Sequence, residues 1–195
     1  MAGKQKNEFV QLGGILCAIT LVVALALGAV NAVTVDKIAA INQQKITDSL
    51  AQVMPGADSE QIEVAEGTTI TTETKNATSV EILSAYKMTK DGADAGYCVE
   101  VGPTGFGGVV DTMVGIDADG NVTGISVISA SQETPGLGAN STSPEFQGQF
   151  ADLAGMDVAV EKDGGSIVAL TGATITSRCV SEGVVAAAMF AAEQG

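Results

Sequence analysis

At 195 residues the chain suits one domain with an added segment, and it contains neither histidine nor tryptophan. Without histidine, Ser-His-Asp and Cys-His nucleophiles and His-ligated metals are excluded together, so chemistry rests on carboxylates, hydroxyls, thiols or a bound cofactor. The formal charge of −14 argues against nucleic-acid binding, which requires basic patches.

The first predicted element is a membrane span. Phe9 to Val35 contains no charged residue. At about 1.5 Å rise per residue, a helix of that length crosses a hydrocarbon core of roughly 30 Å. Lys4 and Lys6 precede it, and the positive-inside bias then puts residues 1–8 in the cytoplasm and everything after Asp36 on the outer face of the cell membrane. Val30-Asn31-Ala32 resembles a small-x-small cleavage site, so a removed signal peptide is the rival reading. The apolar run is longer than a usual signal core, which favours a retained single-pass anchor over residues 9–35. The two readings agree on compartment and differ on attachment. Gly13, Gly14, Ala18, Ala24, Ala26, Gly28 and Ala29 either allow close approach of neighbouring spans or reflect the ordinary composition of such helices.

Thr34 to Val53 reads as an amphipathic helix, with Ala39, Ile46, Leu50 and Val53 at helical spacing, and Pro55-Gly56 ends it. Residues 36–54 are therefore expected to connect the span to an extracytoplasmic domain over 55–195. Within it, Ser79–Lys90 and Ala95–Val101 read as a hairpin around Asp91-Gly92. Val109–Asp117 and Val122–Ala130 form a second around Asp119-Gly120. Loops are expected over 102–108 and 131–143, a short helix over 145–153 and a brief strand over 167–170. A final helix runs from about Ser177 to Glu193, with Thr176 or Ser177 as its N-cap. The pattern predicts an α+β domain with an antiparallel sheet. Cys17, Cys98 and Cys179 show no metal-site spacing, so no metal is expected. Whether Cys98 and Cys179 pair is open at this level.

The stretch that carries most information is Leu170-Thr171-Gly172-Ala173-Thr174-Ile175-Thr176-Ser177. It is a hydroxyl-rich, glycine-bearing turn running into the last helix, where backbone N–H groups and the helix dipole favour a phosphate. Taken alone it is either such a cradle or only a helix start. It resembles the Ser/Thr-Gly-Ala-Thr flavinylation motif of the FMN-binding domains in Rnf and Na+-pumping NADH:quinone reductase complexes. Four further segments resemble that family in order. They are Pro55-Gly56-Ala57-Asp58, the glycine-rich Pro103–Gly108, the Val114–Ile125 strand-turn-strand, and Glu133-Thr134-Pro135-Gly136-Leu137-Gly138. Chain length and the single N-terminal span are most similar to the G subunits of Rnf electron-transport complexes. The C subunit of the quinone reductase is similar but usually longer.

The resemblance implies FMN joined by a phosphoester to Thr174. Thr171, Gly172, Ala173, Thr176 and Ser177 would flank the phosphate, and Glu133, Thr134, Pro135, Gly136 and Leu137 would close over the rest, with Leu137 against the ring. It implies a Mg2+-dependent flavin transferase that takes FMN from FAD, because nothing near Thr174 reads as a general base. It also implies electron relay, with no independent catalytic site, among the membrane and peripheral subunits of an ion-translocating ferredoxin:NAD+ oxidoreductase. A stand-alone anchored FMN protein for extracellular electron transfer and a non-catalytic anchored binding domain are the alternatives. One departure stands out: the family's motif begins with an acidic residue three positions before the Ser/Thr, and here that position is Val168.

Overall fold

The structure is a computed structural model that describes residues 2–75 and 77–194. The chain forms two units, residues 1–44 and residues 45–195. Helix α1, Ala2–Val53, supplies all described residues of the first unit and continues into the second. In the first unit its side chains from Val10 to Ile41 include a long run of exposed Leu, Ile and Val. An 18-residue stretch of this helix has a mean hydropathy of 2.5, which suffices by length and composition to cross a membrane.

The second unit is an α+β domain. Helix α1 ends at Val53, immediately before Met54-Pro55-Gly56, because proline disfavours the helical conformation in the residue before it. Six antiparallel strands follow: β1 (Asp58–Ile62), β2 (Thr69–Thr71), β3 (Ser79–Lys90), β4 (Ala93–Gly102), β5 (Asp111–Ile116) and β6 (Val122–Ser129). Their order is β1-β3-β4-β5-β6, with β2 pairing on β3 beside β1. Both predicted hairpins are present, and Tyr86 faces Cys98 while Val99 faces Val114 in register. The Asp91-Gly92 turn has φ of +53° and +79°, the left-handed pair that lets a two-residue turn follow the twist of its strands.

Both faces of the sheet are covered. Helix α3, Thr174–Gln194, lies against one face and buries Val180, Val184, Ala187 and Ala191 among Val99, Val101, Val114 and Ile125. Its alanines let the helix approach closely, and although it is long and apolar it is a core helix, mostly buried. The other face carries Tyr86, Met88, Cys98 and Met113, and these pack on Leu50, Val53 and Met54 from the end of α1. The Thr123 hydroxyl donates to the Val53 carbonyl at 2.7 Å and tacks that helix end to β6. Cys98 and Cys179 lie in these two separate cores as free thiols, so the open question of their pairing is answered in the negative.

Residues 130–173 link β6 to α3 with little regular structure, and here three expectations are corrected. The helix expected over 145–153 is only α2, Pro144–Gln147, followed by a 3-10 turn over Gly148–Phe150. Gly148 weakens the helix, and Phe146 and Phe150 are drawn into the core with ring centroids 5.4 Å apart. No strand forms over 167–170 beyond one parallel bridge between Ile167 and Val160. Side chains take the place of a ladder: Gln149 accepts from Val168 N–H at 2.8 Å, and Ser177 Oγ accepts from Leu170 N–H at 2.9 Å. Finally, α3 starts at Thr174, so Thr176 and Ser177 lie inside its first turn rather than capping it.

Candidate functional site

Two tight turns face each other beside the start of α3. In Leu170-Thr171-Gly172-Ala173 the Ala173 N–H bonds the Leu170 carbonyl at 2.9 Å, and Gly172 has φ +76°. In Thr134-Pro135-Gly136-Leu137 the Leu137 N–H bonds the Thr134 carbonyl at 3.1 Å, and Gly136 also has φ +76°. A positive φ at the third residue is what a type II turn needs, and proline presets the second. The turns touch: a Cβ built on Gly172 would lie 3.0 Å from Leu137 Cδ2.

Glu133 joins the pieces. It is 4% exposed, and its two carboxylate oxygens accept from Gly107 N–H at 2.8 Å and from the Thr176 hydroxyl at 2.6 Å. One side chain therefore ties the glycine-rich loop, the 131–138 loop and the first turn of α3 together. The Ser177 hydroxyl is likewise committed, accepting from Leu170 N–H and donating to the Ala173 carbonyl at 3.0 Å. Burial, reinforced by the charge of Glu133, pushes the Cys179 thiol up to about 12 and keeps it protonated.

Between these elements lies a cavity of about 340 Å³ lined by Phe106, Glu133, Thr134, Leu137, Gly138 and residues 172–176. Of the sequence-predicted residues, Glu133, Thr134, Leu137, Gly172, Ala173, Thr174 and Thr176 meet here. Pro135 and Gly136 shape one turn without lining the cavity, Ser177 lies buried beneath it, and Thr171 faces a neighbouring depression with Val168. Sequence reasoning missed Phe106, Gly138, Ile175 and Lys162. Phe106 could have been found as the lone aromatic of a glycine-rich loop. Lys162 carried no signal, since only the fold brings it to Thr174.

The cavity is two-ended. At one end the N–H groups of Thr174, Ile175 and Thr176 precede the first intrahelical bond, from Ser177 N–H to the Ala173 carbonyl at 3.0 Å. The half-exposed Thr174 hydroxyl stands there, accepting from Lys162 Nζ at 3.4 Å. At the other end Phe106, Leu137 and Ile175 are 70%, 40% and 51% exposed and form an apolar rim. A dianionic phosphate suits the first end and a planar aromatic ring the second, so the residues present fit FMN.

Fold and pocket together define an FMN-binding α+β domain joined to a long apolar helix. Residues 105–189 match the family model described as FMN-binding domain. The chain is 38% identical over 181 residues to the G subunit of the Na(+)-translocating ferredoxin:NAD(+) oxidoreductase complex of Acetobacterium woodii, covering 89% of this chain and 87% of that protein. It is 34% identical over 167 residues to the G subunit of the ion-translocating oxidoreductase complex of Aliivibrio fischeri, covering 82% and 79%. With the protein of that same name from Shewanella baltica it shares 32% over 187 residues, covering 92% and 87%. The chain belongs to the G-subunit family of ion-translocating (Rnf) oxidoreductase complexes.

Proposed function

We propose that this chain is the FMN-carrying relay subunit of an Rnf-type ion-translocating ferredoxin:NAD+ oxidoreductase, with FMN joined through its phosphate to Thr174. The observation that carries the reading is the convergence at one cavity of a reachable hydroxyl, a helix N-terminus and an exposed apolar rim. Family membership supports the placement in a complex. Helix α1 anchors the chain in the cell membrane, its N-terminus is cytoplasmic, and the domain lies on the outer face, as the positions of Lys4 and Lys6 favour. The other membrane and peripheral subunits are its partners in electron transfer.

Bound FMN supplies the electron-transfer chemistry. The chain supplies place and surroundings. The N–H groups of residues 174–176 and the helix dipole hold the phosphate. Phe106, Leu137 and Ile175 offer apolar contact to the ring, and Glu133 holds the two loops in register around it. Attachment needs a flavin transferase with FAD as donor. Thr174 Oγ forms a bond to phosphorus, the anhydride bond of the FAD pyrophosphate breaks, AMP leaves with the bonding electrons, and the hydroxyl proton passes to a base on the transferase. A covalent bond also retains the cofactor on a face of the membrane where free FMN would diffuse away.

The test is in-gel flavin fluorescence of the denatured full-length protein after co-expression with a flavin transferase, combined with peptide mass mapping. The expected outcome is a fluorescent band and one FMN less one water on the peptide containing Thr174. Thr174→Ala is expected to give a dark band with unchanged circular dichroism. Covalent flavin persisting in that variant would refute the assignment.

A further inference from the structure

The phosphate end of the cavity holds a cation that belongs to none of the motifs. Lys162 lies in the 3-10 turn Glu161–Asp163, twelve positions before Thr174, and its Nζ is 3.4 Å from Thr174 Oγ1. Lys87 pairs with Asp94 and Arg178 with Asp163, whereas Lys162 has no carboxylate at ion-pair distance among the described residues. In a chain with 23 acidic and 9 basic residues, a lysine directed at a neutral hydroxyl is a charge without its counter-ion.

Its backbone is held on both sides. The adjacent Asp163 accepts from Arg178 Nε at 2.6 Å and Nη2 at 2.9 Å, and Arg178 is one helical turn beyond Thr174 on α3. A two-pronged pair of this kind fixes orientation as well as distance. On the other side Glu161 N–H bonds the Ile167 carbonyl at 2.9 Å. The turn is thus clamped to the same helix that presents the threonine, while the Lys162 side chain stays exposed.

We propose that Lys162 is the counter-cation of the phosphate carried on Thr174, set in place by the Asp163–Arg178 clamp. The assignment rests on the phosphoester reading of Thr174. Esterification replaces a neutral hydroxyl by a group of one negative charge, and an ammonium already within 3.4 Å of that oxygen meets it without rearrangement. Lys162 forms and breaks no bond, so it is a positioning residue. Being exposed, it contributes little until the phosphate arrives.

The test uses the full-length protein in detergent as wild type, Lys162→Arg, Lys162→Gln and Lys162→Glu, each made with and without a co-expressed flavin transferase. Two quantities are read: the rate at which FMN mass appears on the Thr174 peptide, and the melting temperature of the flavinylated form less that of the unflavinylated form. The unflavinylated proteins are expected to melt together. The flavin-dependent gap is expected to be kept in Lys162→Arg, to fall by about half in Lys162→Gln and to vanish in Lys162→Glu. Modification of Lys162→Glu is expected to be about threefold to tenfold slower. Loss of modification in Lys162→Gln with retention in Lys162→Arg also supports the assignment. An equal gap in all four proteins overturns it, as does an arginine variant as deficient as the glutamine one. A wild type without FMN mass on Thr174 fails at an earlier point, sinking the phosphoester reading and the counter-cation with it.

Discussion

Asp111 opens β5 with Oδ1 buried and without a hydrogen-bond partner, close to the buried Glu100. Burial first, and then the neighbouring charge of Glu100, push its carboxyl up to about 7, with Lys45 opposing the shift. In the unfolded chain the same group titrates near the ordinary value of about 4. Between those values the folded state holds a proton that the unfolded state has released. The stabilisation is therefore complete below about pH 4 and is lost as pH rises through about 7. Asp111→Asn is expected to flatten this fall and to be about 1 kcal/mol more stable than wild type at pH 8, read from urea midpoints across pH 5–8. Parallel pH profiles for the two proteins would count against it. Glu133 is a contrasting buried acid: both of its oxygens are occupied, and its work is architectural. Val168, at the position where the resembled motif carries an acidic residue, is 56% exposed and lines the same depression as Thr171, open to the flavin transferase that we propose.

The two facing turns differ in one respect that separates backbone strain from contact. Gly136 and Gly172 share φ +76°, but a Cβ on Gly136 meets nothing within 4 Å, whereas one on Gly172 presses on Leu137. Alanine at either position is expected to cost about 1–2 kcal/mol from the backbone alone. Gly172→Ala is expected to cost measurably more and to lower flavin incorporation, because Leu137 must leave the rim. Denaturant midpoints and flavin fluorescence check both, and equal costs would mean that Leu137 yields freely. Elements of this kind are legible in the sequence because their determinants are local: Asp-Gly turns and Pro-Gly announce themselves in consecutive residues. Sequence puts the start of α3 three residues late because Thr176 and Ser177 look like caps. Their hydroxyls instead serve Glu133 and Leu170, one of them 43 positions away in the chain. The missing strand at 167–170 has the same origin, since side chains of Gln149 and Ser177 satisfy a backbone that its apolar pattern assigns to a ladder.

For the molecule as a whole, the domain begins inside α1. Leu50, Val53 and Met54 close the second face of the sheet over Tyr86, Met88 and Met113. At about 1.5–3 kcal/mol for each buried side chain, their loss rivals the total stability of a typical domain. A chain starting at Lys45 is expected to melt cooperatively, and one starting at Asp58 is expected to bind a hydrophobic dye and melt broadly or not at all. Cooperative melting of the shorter chain would show this contact to be dispensable. Amphipathic spacing marks Ile46, Leu50 and Val53 as one stripe, but only the sheet reveals what that stripe covers. Lys162 lies beyond sequence reasoning for the related reason that its role exists only once the turn at 161–163 packs on α3.

The separation of Cys98 and Cys179 by the thickness of the sheet bears on how such a domain matures. With no covalent staple to close, folding on the outer face that we propose for it requires no thiol oxidant and releases no electrons to one. The domain can complete its fold equally well in an anaerobic or an aerated setting, and the flavin attachment proposed at Thr174 would then be a covalent event separate from folding.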